Sequence, residues 1–358
     1  LAAGAHTRSS HSVFDLIKSH ADSQGIWWTA GGRDCGTHFG LPLVARWRAR
    51  RKDQCTPTAG QTPESMQIPV VGQSLPPSLM QCHLMREGPT ENICSVWNMA
   101  IDLDALDDQS RIRGAKLVCC PDGYDPPAGH AHLSQCSFDA ADWQRGDFGN
   151  GAQDFLGSLH PDSPTIAPTC DAVISHKIMF LARYDVKNYY HVHEDAIQTF
   201  SAFAVVGLDA SDTEVIILDS RQPYDGNGTQ CDDFWQRLFT APAHRHLLRQ
   251  GPPEHDTPQP PLTRGIHEIA RQLKSAGKRT LCLHHAVFGV HGGISPFSRD
   301  LKQRLSCTRG TTALILGYRS FVWKQLAFSP RFEGPSDPLT VRLVFSSRRG
   351  GQVTRPFE

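Results

Sequence analysis

Residues 177–220 read KIMFLARYDVKNYYHVHEDAIQTFSAFAVVGLDASDTEVIILDS, and the order of patterns within them decides the fold. An apolar, β-rich run (177–185) gives way to a segment with helical spacing, and a second apolar run follows at 213–220. A third run, TLCLHHAVFGV (280–290), comes directly after IHEIARQLKSAGK (266–278), a helical pattern with Gly277 placed as a C-cap. Each run is short and bounded by polar or Gly residues, as buried parallel strands are. Strand, helix, strand, helix, strand predicts an α/β fold.

Outward from this unit, LTVRLVFSSRRG (339–350) is a fourth strand-like run, and the later part of 299–326 has helical character. RQGPPEHDTPQPPLTRG (249–265) reads as a Pro-rich surface loop. Upstream, Ser95–Ile101, with Val96, Trp97, Met99 and Ile101, resembles a strand, and GAKLVCC (114–120) a second short one, whereas polar 129–155 reads as loop. Residues 1–75 are rich in Gly, Ser, Thr and Pro; they read as a stem or poorly ordered arm with one short helix at Val13–His20. The globular texture begins near residue 76 and continues to 358.

Lys plus Arg equals Asp plus Glu at 36 each, which removes the electrostatic footprint of a general nucleic-acid binder. The eleven cysteines include no CxxC pair, which argues against structural zinc and for a disulfide-permissive compartment. One sequon, Asn227-Gly228-Thr229, lies in a Gly-containing turn and marks Asn227 as a glycosylation candidate. No run of about 18 apolar residues occurs, so a membrane connection is expected only through an anchor outside this chain. The start at Leu1 and the end at VTRPFE read as those of a fragment.

Taken as a helix from near Lys187 to near Val206, the central segment puts Tyr189, Val192, Ala196, Phe200 and Phe203 on one apolar stripe. Asn188, His191 and Asp195 share another line, and His193 projects about 160° away from His191. An H-x-H pair converges on one ion from a strand and not from a helix, so a zinc hydrolase built on His191 and His193 is disfavoured and no metal is expected. His191 and Asp195 are an i, i+4 pair in which the carboxylate can raise the basicity of the imidazole, enough to activate a hydroxyl. The bland alternative is a helix N-terminus capped by Asn188.

Other candidates are weaker. HGGIS (291–295) could aim backbone N–H groups at an anion or be a simple turn. His284 and His285, adjacent in a strand, are expected on opposite faces and so not as a ligand pair. Arg348 and Arg349 follow the fourth run, where α/β sheets contact ligands. CHLMREGPTENIC (82–94) holds two cysteines that could close a loop. No G-x-S-x-G elbow, Walker loop or complete G-x-G-x-x-G is present.

In their order, CHLMREGPTENIC, LARYDVKNYYHVHEDAIQTFSAF, VIILDSRQPYDG, DDFWQRLF, LCLHHAVFGVHGGISPF and VRLVFSSRRG resemble glycosyltransferase family 61. That family includes plant β-1,2-xylosyltransferase and the secretory-pathway O-linked GlcNAc transferases, and the resemblance spans about residues 80–355. It implies a GT-B-like, Rossmann-type parallel sheet with flanking helices and an inverting transfer of xylose or GlcNAc. The donor would be a UDP-sugar and the acceptor a glycan or glycoprotein hydroxyl, in the Golgi or endoplasmic reticulum lumen, without cofactor or obligatory metal. His191 with Asp195 would be the base, and Asn188, Arg183, Asp219 and Arg348 would bind substrate. The family's second, donor-binding half carries an H-G-A-G type motif that would follow FSSRRG and is absent here. Residues 76–358 therefore read as the acceptor-side half, inactive alone; the alternative is a non-catalytic glycan-binding or interaction module.

Overall fold

The computed structural model describes residues 12–24, 40–57, 61–84, 92–104, 106, 131–138, 167–181, 189–218, 235, 238–239, 265–289 and 313–326. They form a mixed α/β structure around one eight-stranded sheet. The strands are β1 (Arg51–Pro57), β2 (Leu79–Leu84), β3 (Asn92–Asp102), β4 (Ala131–Leu133), β5 (Cys136–Phe138), β6 (Ala172–Leu181), β7 (Thr213–Ile217) and β8 (Thr280–Phe288). The helices are α1 (Val13–Gln24), α2 (Leu41–Ala49), α3 (Tyr189–Val206), α4 (Ile266–Ser275) and α5 (Ala313–Gln325). The sheet order is β5-β1-β2-β3-β8-β6-β7, with β4 also on β3.

The three apolar runs are β6, β7 and β8, and they are parallel, with β6 in the middle. Parallel order stops there. β8 pairs antiparallel with β3, and β1 to β5 are antiparallel throughout, so the sheet is mixed and mostly antiparallel. The physical reason lies in the connections. β2 and β3 are joined by seven residues, too few for a parallel crossover, whereas α3 and α4 bridge β6 to β7 and β7 to β8.

Successive side chains of the parallel strands serve two cores. Met179, Leu181, Val215 and Val287 meet α1, α2, α3 and α5 on one face. Ile178, Phe180, Ile216, Ala286 and Phe288 meet α4 on the other. α3 and α4 thus lie on opposite faces of the three parallel strands.

Helix ends follow local chemistry. α3 ends at Val206 because Gly207 takes a φ of +76°, and the amides of Gly207 and Leu208 both donate to the Phe203 carbonyl. α4 ends in a full Schellman motif: Lys278 N–H donates to Leu273 O and Gly277 N–H to Lys274 O, with Gly277 at φ +73°.

The described part of residues 1–75, expected as an arm, is integral to the sheet and core. α1 extends to Gln24 and buries Val13 and Ile17; α2 buries Leu43, Val44 and Trp47. β1, RKDQCTP, has none of the apolar enrichment of a strand and is recruited by pairing between β2 and β5. β4 and β5 likewise fall inside the stretch expected to be loop; three residues each is too short to show a period. GAKLVCC and the fourth apolar run lie outside the described residues.

Three disulfides are present among the described residues: Cys55–Cys136 joins β1 to β5, Cys82–Cys94 joins directly opposed positions of β2 and β3, and Cys170–Cys282 ties the approach to β6 onto β8. The two cysteines of CHLMREGPTENIC thus close the hairpin loop. Such cross-links fit an oxidising compartment such as the secretory pathway. No described helix is long and apolar enough to cross a membrane.

Candidate active site at the C-terminal end of the parallel strands

β6 and β8 end side by side, with Phe180 opposite Phe288, and α3 begins eight residues after Leu181. As a crossover helix it starts at the C-terminal end of the strands and runs back along them. Its apolar stripe is the expected one: Val192, Ala196, Phe200 and Phe203 are all buried in the core, where Phe200 and Phe203 meet Phe321 and Phe239 at ring-centroid separations of 5.2 and 5.4 Å.

A second line on α3 runs through 191, 195, 198 and 202. It meets the sheet at Ala202, whose Cβ would lie 3.7 Å from a Cβ placed on Gly289, the first residue after β8. From that anchor, at about 1.5 Å of rise per residue, positions 198, 195 and 191 stand roughly 6, 10 and 16 Å further along the helix axis. They lie toward and beyond the strand ends. Open α/β sheets bind ligands outside the C-terminal ends of their parallel strands, which makes this end the candidate site.

The first half of α3 is unusually polar for its burial. Glu194, Asp195 and Gln198 are only 2%, 1% and 1% exposed. Burial of a carboxylate is costly unless it is hydrogen-bonded or paired. Thr199 and Ser201, also buried, satisfy their hydroxyls by donating to the carbonyls of Asp195 and Ile197, at 2.9 and 2.8 Å.

His191 and Asp195 both lie within α3, so the i, i+4 relation between the two positions holds. The His191 side chain lies outside the described residues, as do Arg183, Asn188, Asp219, Arg348 and the sequon at Asn227, together with HGGIS and Arg349. Of the candidate residues, Asp195 is the one whose surroundings are described.

His193 leaves the helix on another side. Its Nδ1 is 3.0 Å from the Tyr318 hydroxyl of α5 and its ring meets the Tyr318 ring edge-on at 6.3 Å; burial pushes its pKa down. It ties α3 to α5. Among the described residues, no group of three or more His, Cys, Asp or Glu is arranged to hold a metal ion.

His284 and His285 depart from strict alternation. Leu283 and Ala286 pack in the same core, as do Val96 and Met99 on the neighbouring strand, where Asn98 takes a φ of +56°. The period of two therefore breaks on both strands at one line across the sheet. His285 stacks on Trp97 at 4.4 Å, and burial, followed by the charges of Lys177 and His284, lowers its pKa to about 3. The Nδ1 of His284 lies 3.4 Å from Asn98 Oδ1. The pair belongs to the sheet interior, some way below the strand ends.

Sequence reasoning passed over Glu194, Gln198 and Gly289. Glu194 and Gln198 are an i, i+4 polar pair beside an apolar stripe, and Gly289 interrupts an apolar run at its penultimate position; both signals were visible. No protein-family model and no curated protein matches the chain.

Proposed function

We propose that the chain is the acceptor-side half of an inverting, GT-B-like glycosyltransferase that moves xylose or GlcNAc from a UDP-sugar to a glycan or glycoprotein hydroxyl in the Golgi or endoplasmic reticulum lumen. The supporting observation is Asp195. It is a buried carboxylate one helical turn after His191, on a helix that starts at the C-terminal end of the parallel strands.

In this reading the His191 imidazole takes the acceptor proton as the acceptor oxygen attacks the anomeric carbon. The bond from that carbon to the phosphate oxygen breaks, and its electron pair leaves with UDP. Asp195 holds the imidazole in orientation and stabilises the imidazolium that forms. Asn188, Arg183, Asp219 and Arg348 are the candidate substrate contacts, and the Rossmann-type character of the half rests on β6, β7 and β8 with α3 and α4. No cofactor or metal enters the step.

A donor screen of the protein with UDP-xylose and UDP-GlcNAc against glycan and glycoprotein acceptors is the test. Transfer is expected with one donor, and His191→Ala and Asp195→Asn should each lower it by about 10²-fold or more. Unchanged rates in folded variants, or no transfer with either donor, would overturn the assignment.

A further inference from the structure

The second half of α3 is anchored where it crosses its neighbours. Ala202 approaches Gly289 at the end of β8, and Arg48 of α2 reaches the Ala204 carbonyl at 3.5 Å. Positions 195 and 191 stand roughly 10 and 16 Å further along the axis, toward and beyond the strand ends. There the helix is buttressed from another side, by α5.

One side chain of α5, Tyr318, spans two turns of α3. Its ring meets Phe200 edge-on at a centroid separation of 5.6 Å, and its hydroxyl lies 3.0 Å from His193 Nδ1. Residues 193 and 200 are seven apart and so share one side of the helix. Burial lowers the His193 pKa and keeps the ring neutral, with one nitrogen a donor and the other an acceptor, so Nδ1 pairs with a hydroxyl in either tautomer.

Tyr318 is itself firmly seated. The residue before it, Gly317, lets α5 approach α1 so closely that a Cβ there would lie 3.0 Å from Ile17 Cγ1 and 3.3 Å from Ile17 Cα. Two residues after it, Ser320 Oγ lies 3.0 Å from His20 Nε2 of α1, and Leu314 and Phe321 are buried in the core that α5 shares with α3. The hydroxyl that meets His193 is thus fixed relative to α1 and the core as well as to α3.

Position 193 projects about 160° away from both 191 and 195. A grip on its side sets the roll of the helix, and with it the direction of the line on the opposite side. We propose that Tyr318 is a positioning residue: through His193 it holds the first half of α3 so that the line of positions 191 and 195 is presented beyond the strand ends. The second His of the H-x-H motif thereby has a role other than metal ligation. Only the catalytic consequence rests on the transfer reading above; the hold on the helix does not.

The test is Tyr318→Phe, which keeps the ring against Phe200 and removes the hydroxyl. Amide hydrogen exchange along α3 is expected to speed up roughly 10-fold at residues 193–197 and to stay unchanged at 200–206. In the transfer assay kcat should fall roughly 10-fold with the donor KM unchanged. His193→Ala should reproduce both effects, and His193→Gln, whose side-chain amide can pair with the hydroxyl, should restore both. Exchange that is unchanged or uniformly faster along α3, His193→Gln behaving as His193→Ala, or an unchanged kcat would overturn the proposal. Absence of transfer in the unsubstituted protein would instead overturn the transfer reading, while the exchange gradient and its rescue still decide whether Tyr318 holds the helix.

Discussion

The two ends of the parallel strands are built by opposite rules. At the end where β6 and β8 begin, every device favours stability. Cys170–Cys282 links the entrance of β6 to β8, and Asp171 accepts hydrogen bonds from the amides of Arg279 and Thr280 at 2.9 and 3.0 Å. Those two bonds hold the Asp171 carboxyl below its usual pKa. Lys177 pairs with Asp212 at 2.5 Å, and α4 is closed by its Schellman motif. At the other end, α3 buries Glu194, Asp195 and Gln198, and a Cβ placed on Gly289 would meet the Met179 Cε at 2.7 Å. This end thus buries polar groups whose desolvation cost their partners must offset.

Substitutions at the two ends should therefore separate stability from activity. The largest effect is expected from Cys170→Ala with Cys282→Ala. Opening a link of sequence separation 112 should cost up to about 5 kcal/mol by loop entropy. Cys82→Ala with Cys94→Ala, separated by 12, should cost about 3 kcal/mol. Denaturant melts of both variants read the difference, and equal losses would break the account of the disulfide-tied end. Asp195→Asn should do the reverse, lowering transfer by about 10²-fold, equivalent to about 2.7 kcal/mol of barrier, with stability altered by less than about 1 kcal/mol.

His285 lies between the ends and makes the interior sensitive to acid. Its folded pKa of about 3 lies below the unfolded value near 6.5, so the unfolded chain binds the additional proton between those values. The stabilisation from keeping the ring neutral is complete above about pH 6.5 and is lost as pH falls toward 3, by about 2 kcal/mol at pH 5. His285→Phe should remove that part of the slope in urea midpoints measured between pH 7.5 and 5; an unchanged slope would assign it elsewhere. The smallest effect is expected at Gly277→Ala, where a residue at φ +73° without glycine's freedom should cost about 1 kcal/mol in thermal melts and leave transfer unchanged.

The legible parts of the fold were those whose signal is local. Buried parallel strands must be apolar on both faces, so β6, β7 and β8 stand out as runs. α3 shows its core stripe through the 3.6-residue period, and its N-terminal polar line names Asp195 from sequence. The antiparallel half was illegible for the converse reason. β1 carries Arg51, Lys52, Asp53 and Gln54 and becomes a strand because β2 and β5 offer hydrogen-bond partners from distant parts of the chain. A strand defined by its partners leaves little mark on its own residues. The turn of alternation at Asn98 and at His284–His285 was equally hidden, since a left-handed Asn in mid-strand is a response to neighbours.

By itself the amino-acid sequence determined the α/β class, the three parallel strands, the stop at Gly277, and the His191–Asp195 relation, because periodicity and glycine conformation act over a few residues. Tertiary structure alone decided that the sheet is mixed, which cysteines pair, and that the N-terminal segment supplies part of the core. Those properties depend on contacts between residues far apart in the chain, and only packing brings them together.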